Sequence, residues 1–339
     1  MAASRKPVHS PANLTTQSTD SLLQSDHSLI IGAFGVKHMK LLHHFTIFTA
    51  STLSNNSKVQ EVWRMTVPRL SFSTHFVLYA ILALASLHLA YLEEDQAQHH
   101  WSRGIELFQK ALDGAKPAMQ HITEDNCTSL YLFSMLTCYF VLARGYEYIP
   151  GVDEGEGGVL GWIFLFQGTK TLLTAPYPTI LRSGPLGVMF EVGEQRALLL
   201  DSTRRIECEA LGMLREALQR EVSDVQEMEV YAEAVRHLQL SYNIVYEQPR
   251  GLYEGTDVFI WLFRTPPEYF NLLKRRRPAS LAIFLCFAAL IRQLHDTWWA
   301  RDWGEGIIKI RGRATDGFWK SCRASIHSMA EKANSYVDF

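Results

Sequence analysis

The chain has 339 residues, with 33 basic against 35 acidic side chains, a net charge of −2, and 47% apolar against 20% charged residues. That much apolar surface excludes a disordered chain, and the near-neutral balance gives no general pull toward nucleic-acid phosphates. The length suits one large helical domain or two coupled ones, and one is expected.

The opening stretch, MAASRKPVHSPANLTTQSTDS, is polar, with neither the apolar run of a signal peptide nor the arginine density of a transit peptide. Residues 1–37 are expected to form a flexible tail, and residues 38–339 an all-α domain of packed antiparallel helices. With no secretory context expected, the sequons at Asn13, Asn55 and Asn126 should be unmodified. Cys127, Cys138, Cys208, Cys286 and Cys322 are odd in number and widely spaced, which predicts reduced, buried thiols.

The apolar run Phe76–Leu92 lies at the low edge of bilayer-spanning length and carries His88, so a buried core helix is expected rather than a membrane span. Leu281–Ile291 is too short to span. Over 98–113, Trp101, Ile105, Phe108 and Leu112 step by four, three and four and predict one helix face. Thr123-Glu-Asp-Asn126 predicts a helix start, with Thr123 accepting from exposed backbone amides, and that helix should run through Tyr139 and stop at Gly145.

Gly151-Val-Asp-Glu-Gly-Glu-Gly-Gly158 reads as an acidic loop between helices; its carboxylates rule out a phosphate cradle. Over 194–247, Leu211, Leu214, Leu218, Val222 and Val225 fall three or four apart, which predicts one or two long amphipathic helices. Thr265-Pro266-Pro267-Glu268 predicts another helix start, with Thr265 as cap and Glu268 completing a capping box. Pro278 should end that helix and a new one should begin near Ala279. The basic cluster Lys274-Arg275-Arg276-Arg277 either complements a helix C-terminus or binds nucleic acid, an acidic partner or an import receptor.

Hydrolase, redox and dinucleotide signatures are absent from the sequence, and the pairs His43-His44 and His99-His100 lack the spacing of metal ligands. A non-enzyme without cofactor or metal is therefore expected. The alternative is an enzyme or pathway accessory protein acting on an apolar substrate, with His99, His100, Glu124 and Asp125 converging in one pocket. Trp298, Trp299 and Trp303, followed by Phe318 and Trp319, either wall a pocket for a flat apolar ligand or belong to the core.

Four ordered stretches carry a family resemblance. They are Leu41-Leu-His-His-Phe-Thr46 through Ser54 with Val62-Trp63 and Val67-Pro68; His75 to Ala90, ending in Leu-His-Leu-Ala; Gln98-His-His100 with Ile105, Phe108 and Asn126-Cys127; and Phe270 to Leu273 through Arg277-Pro278-Ala279 to Trp298-Trp299 and Trp303. Over about residues 38–325 the chain resembles the C-terminal regulatory domain of fungal zinc-cluster transcription factors of the sterol uptake control type. The resemblance implies an all-helical domain that senses a hydrophobic small molecule, in some members a sterol, and governs an attached DNA-binding head. It also implies a nuclear protein with a cytoplasmic pool, acting as a homodimer or with a zinc-cluster factor. Residues 1–37 contain no cysteine, so the zinc cluster is expected to be missing or to lie upstream of Met1, and direct DNA binding by this chain is not expected.

Overall fold

Every regular element in the described residues of the computed structural model (34–145, 158–174, 177–202, 208–247 and 253–309) is helical, as expected. Residues 1–33, the acidic loop at 151–157, Cys322, Phe318 and Trp319 lie outside them. The chain divides into two compact units, Met1–Lys40 and Leu41–Phe339. In the first, the Phe34 ring meets His38 at 5.0 Å between centroids.

The elements run α1 (Val36–His44), α2 (Ser57–Glu61), α3 (Val67–Ser71), α4 (His75–Leu92), α5 (Ala97–Gln120) and α6 (Cys127–Arg144). One π-helical turn, Phe45–Thr49, follows α1, and another, Val62–Thr66, separates α2 from α3. Then come α7 (Gly158–Thr174), α8 (Pro178–Ser183), α9 (Gly187–Ser202), α10 (Glu209–Glu221) and α11 (Val225–Glu247). The last are α12 (Gly255–Arg264), α13 (Pro267–Lys274), α14 (Pro278–Ile291) and α15 (Trp303–Lys309).

Two helices apolar nearly all round anchor the core. In α4 an unbroken run from Ala80 to His88 is buried, because α5, α6, α3 and the Phe45–Thr49 turn all pack against it. Each buried Leu or Ile there contributes about 1.5–3 kcal/mol relative to exposure. In α14 the side chains from Ala282 to Ile291 are buried against α10, α11, α13 and α15. Both α4 and α6 are long and apolar enough to cross a bilayer by length and composition, with 61% and 56% of the respective windows buried inside the fold. The sequence pattern singles out only α4.

Helix α5 folds back along α4 through a short connection, and here the expected face is rotated. Phe108 is buried, but Trp101, Ile105 and Leu112 sit at the margin, while Gly104, Leu107, Ala111 and Ala115 form the buried stripe. Small residues let the helices approach: a Cβ on Gly104 would stand 3.0 Å from Leu87 Cδ2 and 3.2 Å from the Ala83 carbonyl oxygen. A pattern search weighted toward bulky side chains misses such a stripe. Phe108 then stacks on Phe140 of α6, 3.7 Å between centroids and 8° between planes.

The Thr123 hydroxyl accepts from a backbone amide as expected, that of Asn126 (3.3 Å), and the Asn126 side chain accepts from the Thr123 amide (2.8 Å). This pair closes the turn ahead of α6, whose own cap position, Asn126, makes no capping side-chain bond. The helix ends at Gly145, whose φ of 85° suits glycine. The long amphipathic stretch is broken at Val222–Asp224, which resets the phase. Leu211, Leu214 and Leu218 are buried in α10, but Val225, expected on the same face, is 71% exposed at the start of α11.

Thr265 departs further from expectation. Its hydroxyl donates to the Trp261 carbonyl at 2.7 Å, closing the end of α12. Pro266 takes the cap position of α13 without a side-chain bond, so the expected Thr265–Glu268 box does not form. Helix α14 begins at Pro278, beside the expected position. Cys127, Cys138 and Cys286 are buried and in no disulfide, and burial pushes the Cys138 thiol up to about 12, which makes it inert. Cys208 is only partly buried.

Candidate functional site

The residues expected to wall a pocket meet a short loop that the sequence does not mark. After the 3-10 turn Ala50–Thr52, Leu53–Asn56 leads into α2, where the Asn56 side chain accepts from the Lys58 and Val59 amides at 3.0 and 3.3 Å. The Gln60 side-chain amide donates to the carbonyls of Ser51 (3.0 Å) and Ser54 (2.7 Å), tying the loop to α2.

Thr52 receives two indoles. Its hydroxyl donates to the Thr49 carbonyl at 2.7 Å and accepts from Trp298 Nε1 at 2.8 Å, and its carbonyl accepts from Trp299 Nε1 at 3.2 Å. The Leu53 carbonyl accepts from the Tyr139 hydroxyl at 3.0 Å, and Tyr139 meets Trp299 edge to face, 5.0 Å between centroids. Trp303 lies apart from this pair: its Nε1 donates to the Leu142 carbonyl at 2.7 Å, and its ring meets Trp162 at 4.8 Å. The three indoles are 8%, 4% and 1% exposed, and each N–H is satisfied within the protein.

Behind Trp298 lies a pair of histidines. The His88 ring stacks on Trp298 with 4.6 Å between centroids and 21° between planes. His88 Nδ1 lies 3.0 Å from Thr49 Oγ1 and 3.3 Å from His44 Nε2. Burial, with a smaller push from His44, lowers His88 to about 4; burial lowers His44 as well, so both rings are neutral at pH 7. With Nδ1 unprotonated, the single lone pair of a neutral His88 accepts from Thr49 or from His44. His100 turns instead to Glu93, at 3.0 Å. Among the described residues no group of three or more His, Cys, Asp or Glu side chains is placed to hold a metal ion.

On the other side of Trp299 is a buried acidic clamp. The Glu254 carboxylate accepts from the Ser54 hydroxyl (3.1 Å) and the Asn55 amide (3.0 Å), and also from the backbone amide of Asp257. The Asp257 carboxylate in turn accepts from the Glu254 amide at 2.6 Å, so the two acids form a capping box at the start of α12. Arg196 of α9 neutralises Asp257 through a bidentate ion pair, with Nε 2.9 Å from Oδ1. Gly255 lies against Trp299, where a Cβ would stand 2.5 Å from Cη2 of the indole, so the bare backbone allows the ring its position.

A cleft of about 240 Å³ opens between these parts. Thr52–Asn55, Tyr253–Gly255, Gln293–Thr297 and Trp299 line it, so of the three expected tryptophans it reaches only Trp299. Its rim is polar.

Residues 40–179 match the family described as "Fungal specific transcription factor domain". The resemblance read from the sequence is borne out. The chain is 26% identical over 283 residues to a Zn(2)-C6 fungal-type transcription factor of Gibberella zeae, covering 78% of this chain and 55% of that protein. It is 29% identical over 156 residues to sterol uptake control protein 2 of Saccharomyces cerevisiae, 45% of this chain and 16% of that one. With sterol uptake control protein 2 of Candida albicans it shares 27% over 142 residues, 41% of this chain and 19% of that protein. The chain thus spans about half the length of the first of these relatives and less than a fifth of the other two. Within the fold, the matched transcription factor domain supplies the Thr52–Asn55 wall of the cleft, and residues beyond the match supply the Glu254 and Trp299 walls.

Proposed function

We propose that this chain is a transcription-regulatory module rather than an enzyme, acting in the nucleus with a cytoplasmic pool. The observation that carries the reading is the match of residues 40–179 to a fungal transcription factor domain, alongside relatives named as transcription factors. The geometry agrees: the polar groups around Trp298, Trp299 and Glu254 are spent on holding the fold together. The module responds to a hydrophobic, sterol-like molecule, which approaches through the cleft that Trp299 walls; two relatives named for sterol uptake control support this. Trp298 and Trp303 act in this reading as the braces behind that wall. The module works as a homodimer or with a zinc-cluster factor and does not itself contact DNA.

The test fuses the full chain to a heterologous DNA-binding head and reads a reporter gene in sterol-replete and sterol-depleted yeast. Output that differs from the head alone and changes with sterol supports the proposal. Output identical to the head alone in both conditions overturns it. Native mass spectrometry of the purified chain then identifies the retained ligand, since a tightly bound hydrophobic molecule survives purification.

A further inference from the structure

The basic cluster lies on the corner between α13 and α14, whose axes meet at 109° when α14 is followed through Leu294. The corner is tied down by burial and hydrogen bonds. Below it Tyr269, Phe270, Leu272 and Leu273 are buried from one helix and Ala279 and Ser280 from the other. The Tyr269 hydroxyl donates across the corner to the Ser280 carbonyl at 2.8 Å, and the Ser280 hydroxyl donates to the Arg277 carbonyl at 2.7 Å. The backbone closes α13 by a Schellman pattern, in which the Arg277 amide donates to the Leu272 carbonyl (3.2 Å) and the Arg276 amide to the Leu273 carbonyl (2.9 Å).

That pattern demands a left-handed residue after the cap, a position glycine usually fills because it has no Cβ to clash. Here it is Arg276, at φ 52°, the one non-glycine with positive φ among the described residues. An arginine there costs stability that a glycine would not. The helix dipole does not account for the choice, since Lys274 and Arg275 already place two cations at the C-terminus. A strained position held by a long cationic side chain points to a use for the cation.

The four charges are not equivalent. Arg277 is bound to Glu227 of α11, at 2.5 Å from Nη2 and 3.1 Å from Nε, with Asp224 also near. Lys274, Arg275 and Arg276 are exposed and make no ion pair with any described residue. Three cations thus stand on a preorganised corner, with little backbone left to order on binding.

We propose that the Lys274–Arg276 corner is a docking site for a carboxylate-rich segment of a partner protein. Arginine forks match carboxylates bidentately, and three cations at one corner match a short acidic stretch. Duplex DNA fits less well. It presents a charge about every 1.7 Å along its axis and rewards cations spread along a face, whereas here the cations are confined to one turn of a chain with net charge −2. The docking site is independent of the sterol response proposed above.

The test uses the full chain and a fluorescein-labelled ten-residue polyglutamate peptide, with fluorescence anisotropy at about 0.1 M salt, where the Debye length is about 10 Å. A labelled 20-base-pair duplex is the comparator. Arg276→Gly is the informative variant: it should raise the melting temperature by about 2 °C, by relieving the left-handed arginine, while weakening peptide binding about threefold. Lys274→Glu/Arg275→Glu, on surface positions that leave the corner's backbone bonds intact, should abolish binding. Parent-like peptide affinity in both variants overturns the proposal, as does tighter binding of the duplex than of the peptide. A fall in melting temperature for Arg276→Gly removes the argument from strain and counts against the proposal too.

Discussion

The Glu254 carboxylate accepts a hydrogen bond from the Ser54 hydroxyl, 3.1 Å away in space and 200 positions away in the chain. Because the carboxylate also holds the Asn55 amide, two donors of that loop depend on one buried group, whereas the Asp257 amide has the Glu254 backbone carbonyl at 2.9 Å. Replacing Glu254 by Ala leaves those two unsatisfied and should lower the unfolding free energy by about 2–4 kcal/mol. Glu254→Gln keeps one acceptor oxygen and should cost about 1–2 kcal/mol, and Ser54→Ala about 1 kcal/mol. Urea denaturation of the three variants reads the order directly; equal stability of Glu254→Ala and the parent would show that the clamp holds nothing.

The His88–His44 pair gives the fold an acid sensitivity with a definite sign. His88 is held neutral with its proton affinity lowered from the ordinary 6.5 to about 4, chiefly by burial. Between those two values the unfolded chain binds the extra proton and the folded chain does not, so folding stability falls as pH falls through that window. The contribution is complete above pH 6.5 and lost progressively toward pH 4. It amounts to about 3 kcal/mol, since each tenfold change in proton affinity is worth about 1.4 kcal/mol. His44 adds in the same direction through burial, opposed by the nearby Glu93 and reinforced by His100 and His43. Thermal unfolding across about pH 4–7, the range in which histidines titrate, should show this slope, and His88→Gln should flatten it. An unchanged slope would place the acid sensitivity elsewhere.

The helices α4, α5 and α6 are legible as helices because their signals are local: a long apolar run, a 3.6-residue period that nonetheless misplaces the buried face of α5, a Thr-led turn and a terminal Gly. What escapes depends on partners far away in sequence. Thr265 has every mark of a helix start, yet its hydroxyl is taken by Trp261 at the end of the preceding helix. The real box, Glu254 with Asp257, lacks the usual Ser, Thr or Asn at the cap, and its value comes from Ser54 and Arg196. Trp298 and Trp299 stand out as aromatic, but nothing near them in sequence marks Thr52, 246 positions before Trp298, as their acceptor. Gly104 gives no apolar signal because it has no side chain, although that absence is what brings α4 and α5 together.

Two glycines in helices should respond to substitution with opposite signs. At Gly104 even a Cβ meets Leu87 and the Ala83 backbone, so the branched side chain of Gly104→Val has to part α4 from α5 and should destabilise by about 1–3 kcal/mol. At Gly212 in α10 nothing stands within 4 Å of where a Cβ would sit, so Gly212→Ala should stabilise by about 0.5–1 kcal/mol through helix propensity alone. Melting temperatures that move the same way for both would mean the close approach at Gly104 is not specific.

Gly255 and Trp299 allow a sharper test, because their coupling can be measured as a cycle. Gly255→Ala drives a methyl to 2.5 Å from Cη2 of the indole, so the ring must tilt, and its Nε1 bond to the Thr52 carbonyl at 3.2 Å must lengthen. That should cost about 1–3 kcal/mol and shift the tryptophan emission. Trp299→Phe alone loses the N–H bond and leaves a gap beside Tyr139, also about 1–3 kcal/mol. In the double variant the shorter phenyl makes room for the methyl, and the methyl fills part of the gap. The combined loss should therefore fall short of the sum of the singles by at least about 0.5 kcal/mol. Strict additivity would mean that the bare backbone at Gly255 does not set the position of Trp299, and that the wall of the cleft is held by its hydrogen bonds alone.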